Sequence, residues 1–178
     1  LARCGFLDVA SRRGVTVADY ANTGNLDTLL AIMNRNVQNM DKRTICSLLD
    51  LRCYLECPAM ELLAANHTAE DIATLRALCG RAALAVEGKT EESFAEALYY
   101  YHRTLMKLSG NTITPLILNA LITAVLPFWS EYEQTNGVEA ALQGLAHFTD
   151  LIEQGEGEQA AQLLRDGIRR HKEEHGYL

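Results

Sequence analysis

Arg52 and Glu56 stand one helical turn apart in a segment that is otherwise rich in leucine. Helical spacing puts both on one face with Leu48, Leu49 and Leu55, so the guanidinium points toward apolar neighbours and needs a partner there. Glu56 can be that partner in a purely structural ion pair. The segment therefore predicts a paired charge on an apolar helix face, and Arg52 is a candidate site residue.

A second group of polar side chains, Tyr99–His102, places three tyrosines before a histidine on another predicted helix. The tyrosines cover most of the helix circumference, so at least one should face inward with its hydroxyl near a pocket, and Tyr99 is our candidate. An isolated histidine such as His102 can act in a pocket as an acid or base. Asn111 either caps the next helix or contacts a ligand.

The five cysteines contain no strong metal or redox motif. None forms a C-x-x-C pair, and Cys46, Cys53 and Cys57 fall at positions i, i+7 and i+11 on one helix face. This spacing predicts buried thiols in a reducing compartment rather than a thiolate–metal site. No Ser/His/Asp ordering, glycine-rich phosphate loop or paired-carboxylate motif indicates catalysis.

The N-terminal segment has the pattern of a short β-hairpin. In GFLDVASRRGVTVAD the apolar residues alternate on both sides of a polar tip. This pattern predicts two strands with Arg12, Arg13 and Gly14 at or near the turn. The polar stretch Ala18–Asn25 is predicted to be a connector.

Every later segment has helical periodicity. Thr68, with Asp71 three residues on, predicts one helix start, and Thr90 predicts another. Asp41 opens a long helix in which Pro58 predicts a kink or a break. We expect an all-α fold, an antiparallel bundle of about seven helices preceded by the short hairpin.

The composition, with 48% apolar and 22% charged residues, is that of a globular protein. The longest apolar stretch, Pro115–Trp129, is too short to span a bilayer, and no signal peptide is evident, so we expect no membrane partner and a cytoplasmic location. The chain carries −7 and residues 1–17 carry +2, so the remaining residues carry −9. Any nucleic-acid contact must therefore come from the basic N-terminal edge or from residues outside this sequence.

Three stretches, in this order, resemble one family. LLDLRCYLECPAMELLAA (Leu48–Ala65) carries Arg–x3–Glu followed by Pro and Ala–Ala, and FAEALYYYHRTLMKLSGN (Phe94–Asn111) ends in His–Arg and Ser–Gly–Asn. LARCGFLDVASRRGVTVADY (Leu1–Tyr20) is similar to the end of a recognition helix followed by the wing of a winged helix. Together they resemble the FadR subfamily of GntR-type bacterial transcriptional regulators. SGNTITPLILNAL (Ser109–Leu121) is most similar to the fatty-acid-responsive FadR proteins.

The resemblance implies two parts. Residues 1–20 are expected to be the remnant of a winged helix-turn-helix domain, and residues 21–178 an all-helical domain that binds an effector and forms a homodimer. Operator DNA would be bound mainly by a domain that is largely absent from this sequence. The DNA contacts expected within it come from the wing residues Arg12, Arg13 and Gly14.

The resemblance also implies a ligand-responsive regulator rather than an enzyme. Its effector is expected to be a small anion, either a fatty acyl group or acyl-coenzyme A, or another organic acid. Under this interpretation Arg52 meets the anionic group through two parallel hydrogen bonds. The expected effector-binding residues are Arg52, His102, Tyr99 and Asn111.

Many members of the resembled family hold a divalent metal with an Asp four residues before a His and two later histidines. Here His102 fills the first histidine position, but Leu98 stands where the Asp would be and cannot ligate a metal. The later positions align near Leu145 and Gly167, about half a turn from the nearest histidines. We therefore expect no metal cofactor and keep three weak candidate ligands, His102, His147 and His171.

Two other functional classes remain open at this point. The same pocket could belong to a small helical enzyme, or the chain could be an acidic helical interaction module. An enzyme would turn over a small molecule without DNA. A regulator would bind a small molecule stoichiometrically and change its affinity for an operator.

Overall fold

Secondary structure follows the hydrophobic pattern along most of the chain. The computed structural model describes residues 1–10, 14–33, 40–123, 125–127, 129–130 and 137–177. Within them the elements are β1 Leu7–Ala10, β2 Gly14–Val17, α1 Tyr20–Thr23, α2 Leu26–Met33, α3 Lys42–Asn66, α4 Ala69–Val86, α5 Phe94–Leu108, α6 Thr114–Ala120, α7 Val138–Glu153 and α8 Gly157–Glu174. Residues 122–123, 125–127 and 129–130 are helical as well. The predicted all-α architecture with a preceding hairpin is confirmed.

The N-terminal hairpin has the predicted antiparallel pairing. Leu7 lies opposite Val17, and Ala10 lies opposite Gly14. Gly14 has a φ of 84°, in the left-handed region that glycine adopts without strain, at the point where the chain enters β2. Arg12 and Arg13, which the sequence places at or near the turn, lie outside the described residues.

The predicted connector Ala18–Asn25 contains a helical turn, α1, so that prediction was wrong at Tyr20–Thr23. The turn is closed by the carbonyl of Asp19, which accepts hydrogen bonds from the amides of Asn22 and Thr23 at 3.0 and 2.9 Å. The Asp19 carboxylate also accepts from the Asn22 carboxamide at 2.8 Å. Short polar side chains of this kind stabilise local turns in segments without apolar periodicity.

Helix α3 is the central element of the bundle. It packs most extensively against α8 and also contacts α5 and α7. Its start is set by Asp41, whose carboxylate accepts a hydrogen bond from the Thr44 amide at 2.9 Å. The helix continues through Pro58, so the predicted break does not occur. Pro58 is exposed while Cys57 and Ala59 beside it are buried, so packing of the neighbouring residues offsets the missing backbone hydrogen bond.

Reciprocal side-chain caps set the starts of α4 and α5. Thr68 and Asp71 form the predicted capping box at the start of α4. The start of α5 lies at Ser93 rather than at Thr90, because Ser93 forms a capping box with Glu96. In that box the Glu96 carboxylate accepts from the Ser93 amide at 2.8 Å and the Ser93 hydroxyl accepts from the Glu96 amide at 3.2 Å, a reciprocal pair that Thr90, with Ser93 three residues on, has no carboxylate to form.

The core is formed mainly by apolar side chains of α3, α4, α5, α7 and α8. Tyr101 is fully buried in it, and its hydroxyl lies 3.1 Å from the Leu145 carbonyl and 2.8 Å from the Thr149 hydroxyl. These bonds join α5 to α7 and satisfy the buried phenol. Among the described helices, none is both long and apolar enough to cross a membrane.

The close approach of α3 and α8 requires a glycine at the start of α8. A Cβ atom added at Gly157 would lie 2.7 Å from the Glu61 Cα, 2.9 Å from the Ala64 Cβ and 3.2 Å from the Met60 carbonyl oxygen. Two of these three neighbours are backbone atoms, which cannot move without separating the helices. Gly157 therefore fixes the distance between the two helices at this point.

We expect Gly157→Ala to lower the free energy of unfolding by about 1–3 kcal/mol, the usual cost of overpacking a close contact. Gly80→Ala is the matched control, because an added Cβ at Gly80 in α4 meets nothing within 4 Å. That variant should gain about 0.5–1 kcal/mol from helix propensity. Urea unfolding measures both, and equal effects of the two substitutions would contradict the close approach.

Candidate functional site

A cavity of about 320 Å³ lies between α3, α5, α7 and α8 and is closed on one side by Trp129. Its apolar lining includes residues from all four helices: Leu49, Leu98, Leu145, Phe148, Leu164 and Ile168. The ionisable side chains of its described lining are two arginines and three histidines, with no Asp or Glu: Arg52, His102, His147, Arg170 and His171. The cavity therefore combines an apolar surface with positive charge.

The Arg52 and Glu56 side chains form an ion pair beside this cavity, as the sequence predicts. The Arg52 Nε donates to Glu56 Oε1 at 2.8 Å. Glu56 is 1% exposed, whereas 21% of the Arg52 side chain remains exposed. Glu56 therefore holds the inner end of the pair in the core, and the guanidinium reaches into the cavity lining.

His102 from α5 completes a three-residue cluster with this pair. Its Nε2 lies 3.0 Å from an Nη of Arg52, and its Nδ1 lies 2.8 Å from Glu56 Oε2. A guanidinium can only donate hydrogen bonds, so Nε2 must accept and the ring hydrogen of the neutral histidine is on Nδ1. That hydrogen faces the Glu56 carboxylate, although the angles depart from those of a hydrogen bond and neither atom has a described hydrogen-bond partner.

The charges within the cluster determine the protonation of its members. Burial alone would raise the pKa of Glu56, but the Arg52 guanidinium and His102 outweigh it and lower the pKa to about 2. Burial lowers the pKa of His102, against the opposing effect of the Glu56 charge. At neutral pH the cluster therefore contains an ionised carboxylate, a guanidinium and a neutral imidazole.

Trp129 covers the outer side of the cluster. The Arg52 guanidinium carbon lies 5.7 Å from the centroid of the Trp129 ring, within the range of a cation–π contact. The His102 and Trp129 rings are 5.1 Å apart at an angle of 32°. Arg52 is thus fixed by a carboxylate, an imidazole and an aromatic face, and it enters the cavity in a defined orientation.

Tyr99 and Asn111, the other two predicted effector-binding residues, are not part of the described lining. Tyr99 is buried, and its hydroxyl donates to the Asn119 side chain at 2.6 Å. Asn111 is exposed, and its carboxamide oxygen accepts from the amides of Ile113 and Thr114 at 2.9 and 3.1 Å. Asn111 thus closes the turn that leads into α6, whose N-cap position is Ile113.

The four positions that the resemblance assigns to metal ligands do converge on the cavity. Leu98, His102, Leu145 and Gly167 all belong to its lining, which supports the alignment of these positions. Three of them carry no ligating atom, and both nitrogens of His102 face Arg52 and Glu56. Among the described residues no group of three or more His, Cys, Asp or Glu side chains could hold a metal ion. The residues present therefore do not fit a bound metal.

The other two candidate histidines, His147 and His171, also belong to the lining. Burial, together with the charges of His175 and Arg52, lowers the pKa of His171 to about 4. His171 is therefore neutral at neutral pH. Its ring packs 4.2 Å from the His175 ring near the end of α8.

Sequence reasoning missed Trp129 and Arg170 as lining residues. Trp129 is the last residue of the apolar stretch Pro115–Trp129, and nothing in that stretch indicates which side of the bundle its indole ring faces. Arg170 follows Arg169 in a helix rich in charged residues, where only the angle of packing against α3 decides which arginine faces the cavity. No periodicity in the sequence identifies either residue.

We expect Glu56→Gln to lower the free energy of unfolding at pH 7 by about 3 kcal/mol, as breaking a buried ion pair does. The carboxamide carries no charge to offset the Arg52 guanidinium, and its NH2 group would face either Arg52 or the Nδ1–H of His102. A change of histidine tautomer would turn Nε2–H against the guanidinium. Because the pKa of Glu56 is lowered on folding from 4.5 to about 2, its stabilisation is present above pH 4.5. The difference in the free energy of unfolding between wild type and Glu56→Gln should therefore shrink as the pH falls from 4.5 toward 2.

Glu61→Gln is the control on the same helix, because Glu61 forms an exposed ion pair with Arg165 at 3.3 Å. It should change stability by less than about 1 kcal/mol. Urea unfolding at several pH values gives both differences. If Glu56→Gln lowered the free energy of unfolding no more than Glu61→Gln, the buried cluster would not contribute to stability.

Comparison with known proteins identifies the family of this chain. A family model described as the FCD domain matches residues 47–170. The structure is similar to that of Streptococcus agalactiae GntR, with 20% sequence identity and a TM-score of 0.61, over 97% of this chain and 77% of that chain. No curated protein matches the chain. At this identity the structural match concerns the fold. The family match covers most of the chain and the greater part of each of the four helices around the cavity. The chain belongs to the FCD domain family, the C-terminal domain of GntR-type regulators.

Proposed function

We propose that this protein is a ligand-responsive transcriptional regulator of the GntR type, whose helical domain binds a small anionic effector. The observation that carries the proposal is the 320 Å³ cavity, whose described lining has two arginines and no carboxylate. A concave, largely apolar surface with a few fixed charges is the usual form of a small-molecule site. Membership of the FCD domain family supports the regulatory role.

The effector that best matches the cavity is an organic acid with an apolar body. Arg52 supplies a fixed guanidinium, and its exposed part offers donors to a carboxylate in the geometry that arginine favours. Leu98, Leu145 and Phe148 suit an aliphatic or aromatic body. A short fatty acid or another organic acid fits this volume, whereas the nucleotide part of an acyl-coenzyme A would have to lie outside it. Assignment to the FadR subfamily stays a prediction from sequence resemblance.

The DNA-binding part of the proposal concerns the hairpin. Under the domain division expected from the sequence, residues 1–20 form the end of a winged helix-turn-helix domain and residues 21–178 the effector domain. The strand pairing of Leu7–Ala10 with Gly14–Val17 is consistent with a wing. Arg12, Arg13 and Gly14 would then contact the phosphate backbone of an operator, in a regulator that acts in the cytoplasm.

A small helical enzyme and an acidic interaction module receive no specific support. The histidine best placed for acid–base chemistry, His102, faces Arg52 and Glu56 with its two ring nitrogens. It would have to leave this cluster before it could exchange a proton with a substrate. The regulator is therefore the function that we propose.

We expect organic acids to bind the purified chain and to change the fluorescence of Trp129, the single tryptophan of the sequence, which lines the cavity. Titration with acetate, hexanoate, octanoate and benzoate, each beside its neutral amide, should show binding of acids with an apolar body and none of the amides. Arg52→Ala should weaken binding by about 1.5–3 kcal/mol, the usual loss for a hydrogen bond to a charged group. Arg52→Lys, which keeps the charge, should lose less. A chelator should leave binding unchanged.

Gly144→Leu tests whether the ligand enters this cavity. Gly144 lines it on α7, and an added Cβ there meets nothing within 4 Å, so we expect a leucine side chain at this position to take up part of the cavity. Gly80→Leu on α4 is the matched control. Equal binding by both variants would contradict the cavity as the site, and absence of binding by every acid would contradict the proposed effector class.

We also expect the chain to form a symmetric dimer, because helix-turn-helix regulators read two half-sites that are related by a two-fold axis. Sedimentation equilibrium at tens of micromolar should give twice the mass of one chain. A monomer with full helical content would contradict the dimer.

A further inference from the structure

The described lining residues of the 320 Å³ cavity differ in how far they lie from solvent. The exposed ones all belong to α7 and α8: Ala140, Gln143, His147, Gly167 and Arg170. In contrast, Leu98, His102 and Trp129 are only 4%, 2% and 3% exposed. The cavity therefore opens to solvent between α7 and α8, and its inner end lies against α5 and Trp129.

An arginine lies at each of these two levels. Arg52 from α3 lies at the inner end, where its guanidinium contacts Glu56, His102 and Trp129. Arg170 from α8 lies at the opening, and it is exposed. Most of the remaining lining is apolar. A ligand that extends from the opening to the inner end can therefore meet a cation with each of its two ends.

Arg170 differs from the other two arginines of α8 in its partners. Arg165 pairs with Glu61 at 3.3 Å, and Arg169 pairs with Asp166 at 2.7 Å. In the described part of the chain Arg170 forms no ion pair, and no Asp or Glu belongs to the described lining of the cavity. The guanidinium of Arg170 is therefore available to an anionic group that enters the opening.

An anion at the opening would meet further hydrogen-bond donors on the opposite helix. Gln143 and His147 lie one turn apart on α7, and both are exposed lining residues. The carboxamide and the imidazole each carry at least one N–H group. Donors on α7 and a guanidinium on α8 suit a carboxylate, because each of its two oxygens accepts hydrogen bonds.

We propose that the effector is a dicarboxylic acid whose two carboxylates are joined by an apolar chain. This inference rests on the proposed function, because it concerns the ligand of the same cavity. One carboxylate binds Arg52 at the inner end, the chain lies against the apolar lining, and the other carboxylate binds Arg170 at the opening. A monocarboxylic acid of the same length leaves Arg170 without a partner and binds more weakly.

The test compares acids of equal length on the full chain, with the fluorescence of Trp129 as the signal. Hexanedioate, octanedioate and decanedioate are each compared with the monocarboxylate of the same carbon number and with the monoamide of the diacid. At least one diacid should bind roughly threefold to tenfold more tightly than both of its partners in the series. Because the second contact is exposed, this ratio should fall as the salt concentration rises from about 20 mM to about 500 mM.

Two matched variants assign the second contact to Arg170. Arg170→Gln should remove the difference, so that the diacid binds no more tightly than its monocarboxylate. Arg169→Gln makes the same change of charge at the adjacent residue, which pairs with Asp166 and is not among the described lining residues. It should keep the difference. Circular dichroism establishes that each variant is folded before its affinities are compared.

Two results would overturn the proposal while the proposed function stands. One is that no diacid binds more tightly than its monocarboxylate, although monocarboxylates do bind. The other is that Arg170→Gln and Arg169→Gln alter the affinity for the diacid equally, which would show only a general effect of charge. If no acid of either kind binds the wild-type chain, the proposed effector class is wrong, and this inference is wrong with it.

Discussion

Burial of the Glu56 carboxylate is the interaction on which the geometry of the site depends. An ionised carboxylate that is 1% exposed is tolerated only when close partners offset its lost hydration. Those partners come from two helices, Arg52 from α3 itself and His102 from α5. Arg52 reaches Glu56 along α3, whereas His102 reaches it only in the register in which α5 packs on α3. The structural ion pair and the cation of the cavity are consequently formed by the same guanidinium.

This arrangement explains how the cavity can be positively charged without ligand side chains for a metal. The positions aligned with metal ligands do meet in space, but Leu98, Leu145 and Gly167 make that region apolar. The cationic group there is instead the Arg52 guanidinium, which its ion pair with Glu56 and its contacts with His102 and Trp129 hold in place. Such a charge is present at every pH at which the protein folds, because a guanidinium does not lose its proton in proteins.

The sequence predicted contacts between residues that are close together along the chain. It did not predict contacts that depend on how distant helices pack. The Arg52–Glu56 pair was visible because its members are four residues apart on one helix, and the Thr68 cap because its partner is three residues away. His102 was recognised, but its contact with Glu56 was not, because only the packing of α5 on α3 brings them together.

Helical rotation explains why the candidate tyrosine, Tyr99, is not among the described lining residues of the cavity. Tyr99, Tyr100 and Tyr101 point in three directions about α5, and the sequence cannot say which one meets a cavity. Tyr99 donates to Asn119, and Tyr101 bonds to α7 in the core. The predicted start of α5 was wrong for a different reason. Thr90 and Ser93 are both suitable N-cap residues, but only Ser93 has a glutamate, Glu96, three residues later to complete a capping box.

Ile168 is a single side chain of α8 that lines both the 320 Å³ cavity and a second groove, beside Cys53 and Arg165, along another side of the α3–α8 contact. One isoleucine therefore contributes to the walls of both spaces. Any occupant that displaces this side chain from one space changes the volume of the other. Thermodynamic linkage then requires reciprocity: the factor by which an occupant of the groove alters affinity in the cavity equals the factor by which a ligand in the cavity alters affinity in the groove.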